Sequence, residues 1–275
     1  MITGASTGLG AELAKLAIQK GFQVVATFRK PDQAKQFQEI YGESGLALVM
    51  DVTNFNQVNT GLDAALNKFG RIDVLVNNAG YGTVGAVEEF SMEEIRQQME
   101  TNFFSVVHLT KKIIPLMRKQ GGGHIIQMSS QAGYRAMAGF GVYNSSKFAL
   151  EGFSEALAQE VAPFNIRVVI VEPGPFRTQF AGSSIKSPAN KLEVYKNTTV
   201  AGTYKYIEDV NGNQEGDPVK AAQAIVAYVE ENRPNLRLPL GRTPYKALQI
   251  KIESLQNDFT ANEQIATSAV YDDID

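Results

Sequence analysis

Short apolar runs alternate with longer amphipathic stretches along most of the chain. The apolar runs are nearly continuous and rich in β-branched residues, as expected of parallel strands covered on both faces, and they span 22–27, 46–49, 72–76, 124–128 and 166–171. Stretches of helical periodicity lie between them, at 8–20, 32–41, 54–69, 91–119 and 142–163. This repeated βαβ order predicts an α/β fold, with a doubly wound, mostly parallel Rossmann-type sheet and helices on both faces.

The pattern is irregular at its start. Met1 and Ile2 run directly into a Gly-rich turn. Either the first strand is therefore a stub, or the sequence begins inside it.

A second irregular stretch, 175–216, is rich in Gly, Ser, Asn and Pro and has weak periodicity. Its length predicts a lid or substrate loop. A helix is predicted at 217–231 and a strand at 236–238, and a helical extension at 243–275 ends in a solvated acidic tail at 272–275. We therefore expect one domain over 1–275.

Composition narrows the classes of function. The 275 residues carry 26 Lys and Arg against 29 Asp and Glu, a net charge of -3, which argues against nucleic acid or an anionic membrane as partner. The chain has no Cys, which excludes disulfides and thiolate chemistry, and no apolar run long enough to span a bilayer. We expect a cytoplasmic protein.

A Gly-rich turn lies between the first strand and the first helix. Residues 3–10 read T-G-x-x-x-G-x-G. Glycines at such a turn let the backbone approach a pyrophosphate, and the helix N-terminus supplies free N–H groups and the positive end of its dipole. The turn by itself is compatible with either dinucleotide binding or a merely tight turn.

The end of the strand at 22–27 bears on the choice of cofactor. Arg29 and Lys30 follow this strand, and the first carboxylate is Asp32. A carboxylate at this point would bind a ribose 2′-hydroxyl, whereas a guanidinium accommodates a 2′-phosphate. The pair predicts NADP(H), with NAD(H) possible if both side chains are ordinary solvated cations.

Three residues have the chemistry for proton transfer. Tyr143 and Lys147 are four apart on one helix face, and Ser130 closes the preceding strand, thirteen positions before the tyrosine. A nearby ammonium favours the phenolate, so we expect Lys147 to lower the pKa of Tyr143. Taken alone, the Tyr and Lys could also be an exposed surface pair.

The complete set of motifs resembles the short-chain dehydrogenase/reductase family in its short, single-domain form. The matching positions follow one another in the family's order over 1–178: Thr3 to Gly10, Asp51 and Val52, Asn77 to Gly80, Asn102, Ser130, Tyr143, Lys147, and Pro173 with Gly174. Further similarities at 26–29, 216–218 and 237–241 are to the branch that contains steroid and retinol dehydrogenases and bacterial carbonyl reductases.

This resemblance implies a role for each residue. Tyr143 would be the general acid and base, Ser130 would hold the substrate oxygen, Lys147 would also bind the nicotinamide ribose, and Asn102 would anchor a water beside Lys147. The remaining positions would bind the cofactor: Gly4, Ser6, Thr7, Gly8, Leu9 and Gly10 at the turn, Asp51 and Val52 at the adenine, Asn78, Ala79 and Gly80 at the adenosine, with Pro173, Gly174 and Thr178 on the nicotinamide side. Asp51 could instead cap the next helix.

The resemblance also implies partners. It implies a homodimer or homotetramer built through 91–119 and 142–163, and no metal, because the cofactor carries the hydride chemistry. His108 and His124 are interpreted as packing residues.

We expect the substrate to be a hydrophobic ketone or aldehyde and its alcohol. Seven apolar or aromatic residues that flank the predicted site residues in the sequence predict an apolar substrate pocket: Val84, Tyr134, Met137, Phe140, Pro175, Phe176 and Phe180.

Two other functions stay open. A sugar-nucleotide epimerase or dehydratase shares Y-x-x-x-K, but its usual G-x-x-G-x-x-G turn and larger C-terminal domain are not seen. A non-catalytic dinucleotide sensor or scaffold would keep the fold while its catalytic residues decay. The intact set of Ser130, Tyr143 and Lys147 argues against the sensor.

Overall fold

The computed structural model describes residues 1–271. The predicted tail at 272–275 lies outside the described residues. The helices are α1 (Gly8–Gln19), α2 (Pro31–Tyr41), α3 (Phe55–Phe69), α4 (Met92–Met99), α5 (Ser105–Gln120), α6 (Gly141–Val161), α7 (Thr199–Val210), α8 (Pro218–Glu230), α9 (Arg242–Ala261) and α10 (Glu263–Thr267). The strands are β1 (Val24–Phe28), β2 (Gly45–Val49), β3 (Val74–Asn77), β4 (Gly82–Thr83), β5 (Gly123–Met128), β6 (Ile166–Pro173), β7 (Ile185–Lys186) and β8 (Arg237–Leu240).

The main sheet is parallel throughout. β1 pairs with β2, and β3, β5, β6 and β8 pair in that order. Ile2 makes parallel bridges to Ala26 and to Val76, so the stub at the start of the chain joins the two halves of the sheet. The chain reverses its winding at this stub, which confirms the predicted doubly wound Rossmann fold in one domain.

Each strand buries side chains on both faces of the sheet. Ile125 and Val168 pack into the layer formed with α3, α5 and α6, whereas their neighbours Ile126 and Val169 pack into the layer formed with α1, α2 and α8. Successive side chains of a strand point to opposite faces of the sheet. A strand that is covered on both faces therefore needs a nearly continuous run of apolar residues. The core is thus the covered sheet that the sequence pattern predicts.

Two predicted elements differ in the structure. The helix predicted at 91–119 is α4, a π-helical turn at Glu100–Phe104, and α5. The stretch 175–216, predicted as a loop, contains the short strand β7 and the helix α7. On α7 only Val200 and Thr203 are buried, so this helix covers little of the core.

Candidate active site

A cavity of about 400 Å³ opens at the carboxyl-terminal edge of the sheet, beside the stub. Ligands of doubly wound sheets bind at this edge, next to the reversal of winding. Seventeen of the predicted site residues line it: Gly4, Ser6, Thr7, Gly8, Leu9, Arg29, Asp51, Val52, Asn78, Ala79, Gly80, Ser130, Tyr143, Lys147, Pro173, Gly174 and Thr178. The fold therefore gathers motifs that are up to 174 positions apart in the chain.

The glycine turn forms one wall and has a shape that other residues could not adopt. Gly4 and Gly8 have φ angles of 67° and 61°, in the left-handed region. A Cβ on Gly4 would lie 2.9 Å from the backbone of Ala79, and one on Gly8 would lie 3.3 Å from Thr178. The N-cap Thr7 makes no side-chain cap to α1, so the helix N–H groups remain for an anion in the cavity.

Gly10 lies behind this wall and does not line the cavity. A Cβ at this position would lie 2.4 Å from Nδ2 of Asn78 and 2.5 Å from the carbonyl oxygen of Gly4. The same Nδ2 donates hydrogen bonds to the carbonyls of Thr3 and Gly4, at 2.9 and 3.0 Å. Gly10 thus leaves room for the amide that holds the turn in its shape.

The two cations after β1 have different positions. Arg29 is exposed at the rim of the cavity. Burial raises the pKa of Tyr81, and the nearby Arg29 charge partly opposes this shift. Lys30 is the N-cap residue of α2 and does not line the cavity. Asp51 lines it and accepts hydrogen bonds from the backbone and hydroxyl of Thr53, while Asn54, not Asp51, caps α3.

Tyr143 lies in the first turn of α6 and is 5 % exposed. Burial raises its pKa to about 12, and the neighbouring Ser130 hydroxyl acts in the opposite direction. The Ser130 hydroxyl accepts from the N–H of Ala132 at 3.1 Å, and its distance of 3.5 Å to the carbonyl of Pro173 is at the limit of a hydrogen bond. The serine proton therefore remains available to the phenol.

Lys147 follows one turn later and is also buried. Its Nζ lies 5.9 Å from the centre of the Tyr143 ring and donates a hydrogen bond to the carbonyl of Met128, at 2.6 Å. Burial lowers the pKa of Lys147 to about 8, against the effect of Glu151. The expected lowering of the Tyr143 pKa is wrong for this arrangement, because burial outweighs the charge and Met128 takes the hydrogen bond of the ammonium.

Asn102 lies in the π-helical turn, behind the cavity. Its Nδ2 donates to the carbonyl of Tyr81 and to the hydroxyl of Ser146, at 2.9 and 3.1 Å, and its Oδ1 accepts from the N–H of Tyr81 at 3.1 Å. Ser146 in turn donates to the carbonyl of Tyr143. Asn102 therefore fastens the segment after β3 to the helix that carries Tyr143 and Lys147.

A buried acidic network continues along the same helix. Glu151, one turn beyond Lys147, accepts from Arg237 of β8 at 2.5 Å, and the fully buried Glu172 of β6 accepts from the same guanidinium. Burial raises the pKa values of both carboxyls, that of Glu172 to about 7. The network places a shared negative charge behind the Lys147 ammonium.

Residues 1–188 match the family model described as short chain dehydrogenase. This chain belongs to the short-chain dehydrogenase family. It is an oxidoreductase of that family, as the resemblance of its motifs predicted.

Relatives with established names agree with this membership. A 3-ketodihydrosphingosine reductase from Bacteroides thetaiotaomicron is 40% identical over 88% of this chain and 87% of its own length. Retinol dehydrogenase 8 from Homo sapiens is 36% identical over 86% of this chain and 79% of its own length.

Solved structures agree with the fold. A short-chain dehydrogenase from Streptomyces avermitilis has a TM-score of 0.91 and 35% identity, and covers 98% of both chains. A 3-ketoacyl-(acyl-carrier-protein) reductase from Brucella melitensis was solved with NADH (TM-score 0.71, 27% identity, 88% of this chain and 96% of that one). ElxO was solved with NADP; it has a TM-score of 0.70 and 26% identity, over 87% of this chain and 95% of that one. One of these structures thus contains NADH and the other NADP.

The predicted pocket residues of this short-chain dehydrogenase divide into two groups. Five line the cavity: Met137, Phe140, Pro175, Phe176 and Phe180. Val84 packs behind them in a small core with Phe140 and Tyr143. Tyr134 turns away and donates from its hydroxyl to the carbonyl of Pro244, at 2.8 Å. The prediction that Val84 and Tyr134 line the pocket was therefore wrong.

Polar residues that the sequence analysis missed also line the cavity. They include Gln131, Arg135, Gln179, Lys186 and Gln214. Gln131 directly follows Ser130 and could have been found from that motif. Lys186 comes to the site only through the pairing of β4 with β7, and its ammonium lies 4.4 Å from the centre of the Tyr81 ring. No local pattern signals such a pairing.

The remaining sequence candidates lie elsewhere. The His108 ring stacks on Phe55 at 3.9 Å, and His124 is at the start of β5; neither lines the cavity. Among residues 1–271, no group of three or more His, Cys, Asp or Glu is arranged to hold a metal ion. Within the same residues no helix is long and apolar enough to cross a membrane.

Proposed function

We propose that this short-chain dehydrogenase is NADP(H)-dependent and interconverts a hydrophobic ketone or aldehyde and its alcohol, with Tyr143 as general acid and base. The observation that carries the proposal is the buried Tyr143 phenol, next to the Ser130 hydroxyl, in the same cavity as the glycine turn. Proton donor and anion-binding turn thus face one space of about 400 Å³, a volume suited to a small ligand.

The cavity fits a dinucleotide. The positive φ angles of Gly4 and Gly8 and the uncapped N-terminus of α1 form a cradle for a pyrophosphate. Arg29 is the residue that would bind a 2′-phosphate. The ion pairs found among residues 1–271 do not include it, and its guanidinium can bind two phosphate oxygens at once. A bound nicotinamide supplies the hydride chemistry.

The proton chemistry belongs to the chain itself. A phenol with a pKa of about 12 keeps its proton at neutral pH, so Tyr143 can protonate a carbonyl oxygen during reduction. The Ser130 hydroxyl donates to the same oxygen and stabilises the charge that develops there. In the oxidative direction Tyr143 must lose its proton, and the neighbouring Ser130 hydroxyl, which acts to lower the pKa of the phenol, favours that state.

The rest of the cavity accounts for the substrate class. Met137, Phe140, Phe176 and Phe180 offer an apolar wall for a hydrocarbon chain or ring. Gln214 is 2 % exposed in the same lining, and neither end of its amide has a partner among the described residues. We propose that this amide binds a second polar group of an otherwise hydrophobic carbonyl compound.

We also propose a homodimer or homotetramer through the faces of 91–119 and 142–163. Phe104 and Phe148 support these faces, since they are 49% and 40% exposed on the helices concerned.

A substrate panel tests the proposal. Purified protein is mixed with NADPH or NADH and with ketones and aldehydes that include 3-ketodihydrosphingosine, retinal and short polar ketones, and the loss of nicotinamide absorbance is followed. We expect turnover of the hydrophobic carbonyls with NADPH preferred. Turnover of none of them, with the cofactor still bound, would reject the proposal.

A further inference from the structure

Helix α9 leaves the body of the protein after its first two turns. Pro244 and Ala247 are buried, and Pro244 packs on Gly174 and accepts the hydrogen bond of Tyr134. From Ile252 to Ala261 every residue of the helix is exposed. A helix in this position is stabilised by few of its own chain's contacts.

The exposed helix carries an apolar stripe. Five apolar residues recur at alternating intervals of three and four: Tyr245, Leu248, Ile252, Leu255 and Phe259. Ile252, Leu255 and Phe259 are 57%, 42% and 75% exposed. This spacing keeps the side chains on one face and is the spacing by which two helices pack along a common seam.

The charges of α9 and α10 are divided by position. Residues 242–251 contain three cations, Arg242, Lys246 and Lys251, and no anion, whereas 252–267 contain three anions, Glu253, Asp258 and Glu263, and no cation. This order is unfavourable for a single helix, whose dipole favours anions at its N-terminus and cations at its C-terminus. An antiparallel neighbour of the same sequence reverses the effect, because each basic half then faces an acidic half.

We propose that the apolar stripe binds the α9 helix of a second copy of this chain in antiparallel orientation. The spacing pairs Ile252 with Leu255 of the second copy, and Leu248 with its Phe259. The flanking Lys251 then faces Asp258 of the second copy, and the pair occurs twice because of the twofold symmetry. This interface is separate from the helix faces proposed above for the homodimer or homotetramer.

A membrane surface is the other occupant that an amphipathic helix can have. Such helices carry cations along the polar face, which attract anionic lipid. The exposed part of α9 carries Glu253 and Asp258 instead, and the cations lie in the half that contacts the body. The charges therefore favour a second copy of the chain.

Charge exchange on the full chain tests the antiparallel pairing. Sedimentation velocity is measured over a dilution series for Lys251→Asp, Asp258→Lys and the double variant. Each single variant places like charges together twice and should weaken this association step by about tenfold, and the double variant should restore it. Glu253→Lys is the control, because it changes the net charge as Asp258→Lys does but lies off the stripe; it should have little effect.

Two outcomes would overturn the proposal. One is a failure of the charge exchange: either both single variants associate as strongly as the wild type, or the double variant associates no more strongly than the single variants. The other is seen with Phe259→Ser: if it leaves the sedimentation unchanged and abolishes binding to vesicles of phosphatidylcholine and phosphatidylserine, a membrane occupies the stripe. Turnover measured on every variant checks that the fold is intact.

Discussion

The ammonium of Lys147 donates its hydrogen bond to the carbonyl of Met128, at 2.6 Å. Both groups are buried, so the charge lies in a weakly polar environment that lowers the pKa of the lysine to about 8. The proposed active site thus holds a cation at a cost in stability, as functional sites often do.

This cost predicts a pH-dependent effect of Lys147→Met on stability. Between pH 8 and the ordinary lysine value of 10.5, the unfolded chain holds more protons on this group than the folded chain does. The cost is therefore complete below pH 8 and disappears as the pH rises to 10.5. We expect the variant to raise the free energy of unfolding by about 3 kcal/mol at pH 7 and by little at pH 10.5, in denaturant titrations.

Lys15→Met is the control for this measurement, because Lys15 is exposed on α1. It should give the same small difference at both pH values. A Lys147→Met variant that is less stable at pH 7 would show that the bond to Met128 outweighs burial.

Tyr143→Phe should remove turnover and leave cofactor binding intact. Loss of a general acid lowers kcat by about 10²- to 10⁴-fold, while the ring still fills its place in the small core with Val84 and Phe140. Steady-state rates and cofactor fluorescence titration measure the two effects.

Tyr134→Phe is the matched control, since its hydroxyl bonds to Pro244 outside the cavity. It should retain turnover. Full turnover by Tyr143→Phe would instead reject Tyr143 as the general acid and base.

Gly10→Ala should destabilise the glycine turn. Its Cβ would overlap the Asn78 amide and the Gly4 carbonyl, and the latter is backbone that cannot move aside easily. We expect a loss of about 1–3 kcal/mol in unfolding free energy, measured in denaturant, together with weaker cofactor binding.

Gly152→Ala, in helix α6, has no atom within 4 Å of the added Cβ. Because alanine favours helix, this control should gain about 0.5–1 kcal/mol. Equal behaviour of the two variants would mean that the overlap at Gly10 is relieved without cost.

Arg29→Gln should change the choice of cofactor. Removing one charge-assisted contact to a phosphate costs about 1.5–3 kcal/mol, so kcat/KM with NADPH should fall at least about tenfold, with little change for NADH. Lys30→Gln is the neighbouring control, because Lys30 does not line the cavity. An equal loss with both cofactors would assign Arg29 a structural role.

Gln214→Leu should separate stability from specificity. Removing a buried amide without partners should raise the unfolding free energy by about 1 kcal/mol, whereas kcat/KM should fall for substrates with a second polar group. Gln179→Leu, at an exposed position of the same lining, should show no gain in stability. If Gln214→Leu is less stable and its specificity is unchanged, the amide has a structural role and does not bind the substrate.

Much of the site could be predicted because most of its motifs directly follow a strand. Residues at the ends of parallel strands meet at one edge, so the order of motifs predicted that the glycine turn, Ser130 and Tyr143 share a cavity. Lys30, Gly10 and Asn102 follow the same order but lie beside or behind the cavity, because their side chains or backbone point away from it. Strand order does not determine that direction.

The sequence by itself determined the alternation of strands and helices and the order of the motifs, since both depend on local periodicity and spacing. Only the tertiary structure decided the high pKa of the Tyr143 phenol, the turning away of Tyr134 and the exposure of the α9 stripe. These properties depend on burial and on contacts between residues far apart in the chain. Such contacts form when the sheet is assembled, and local patterns do not carry them.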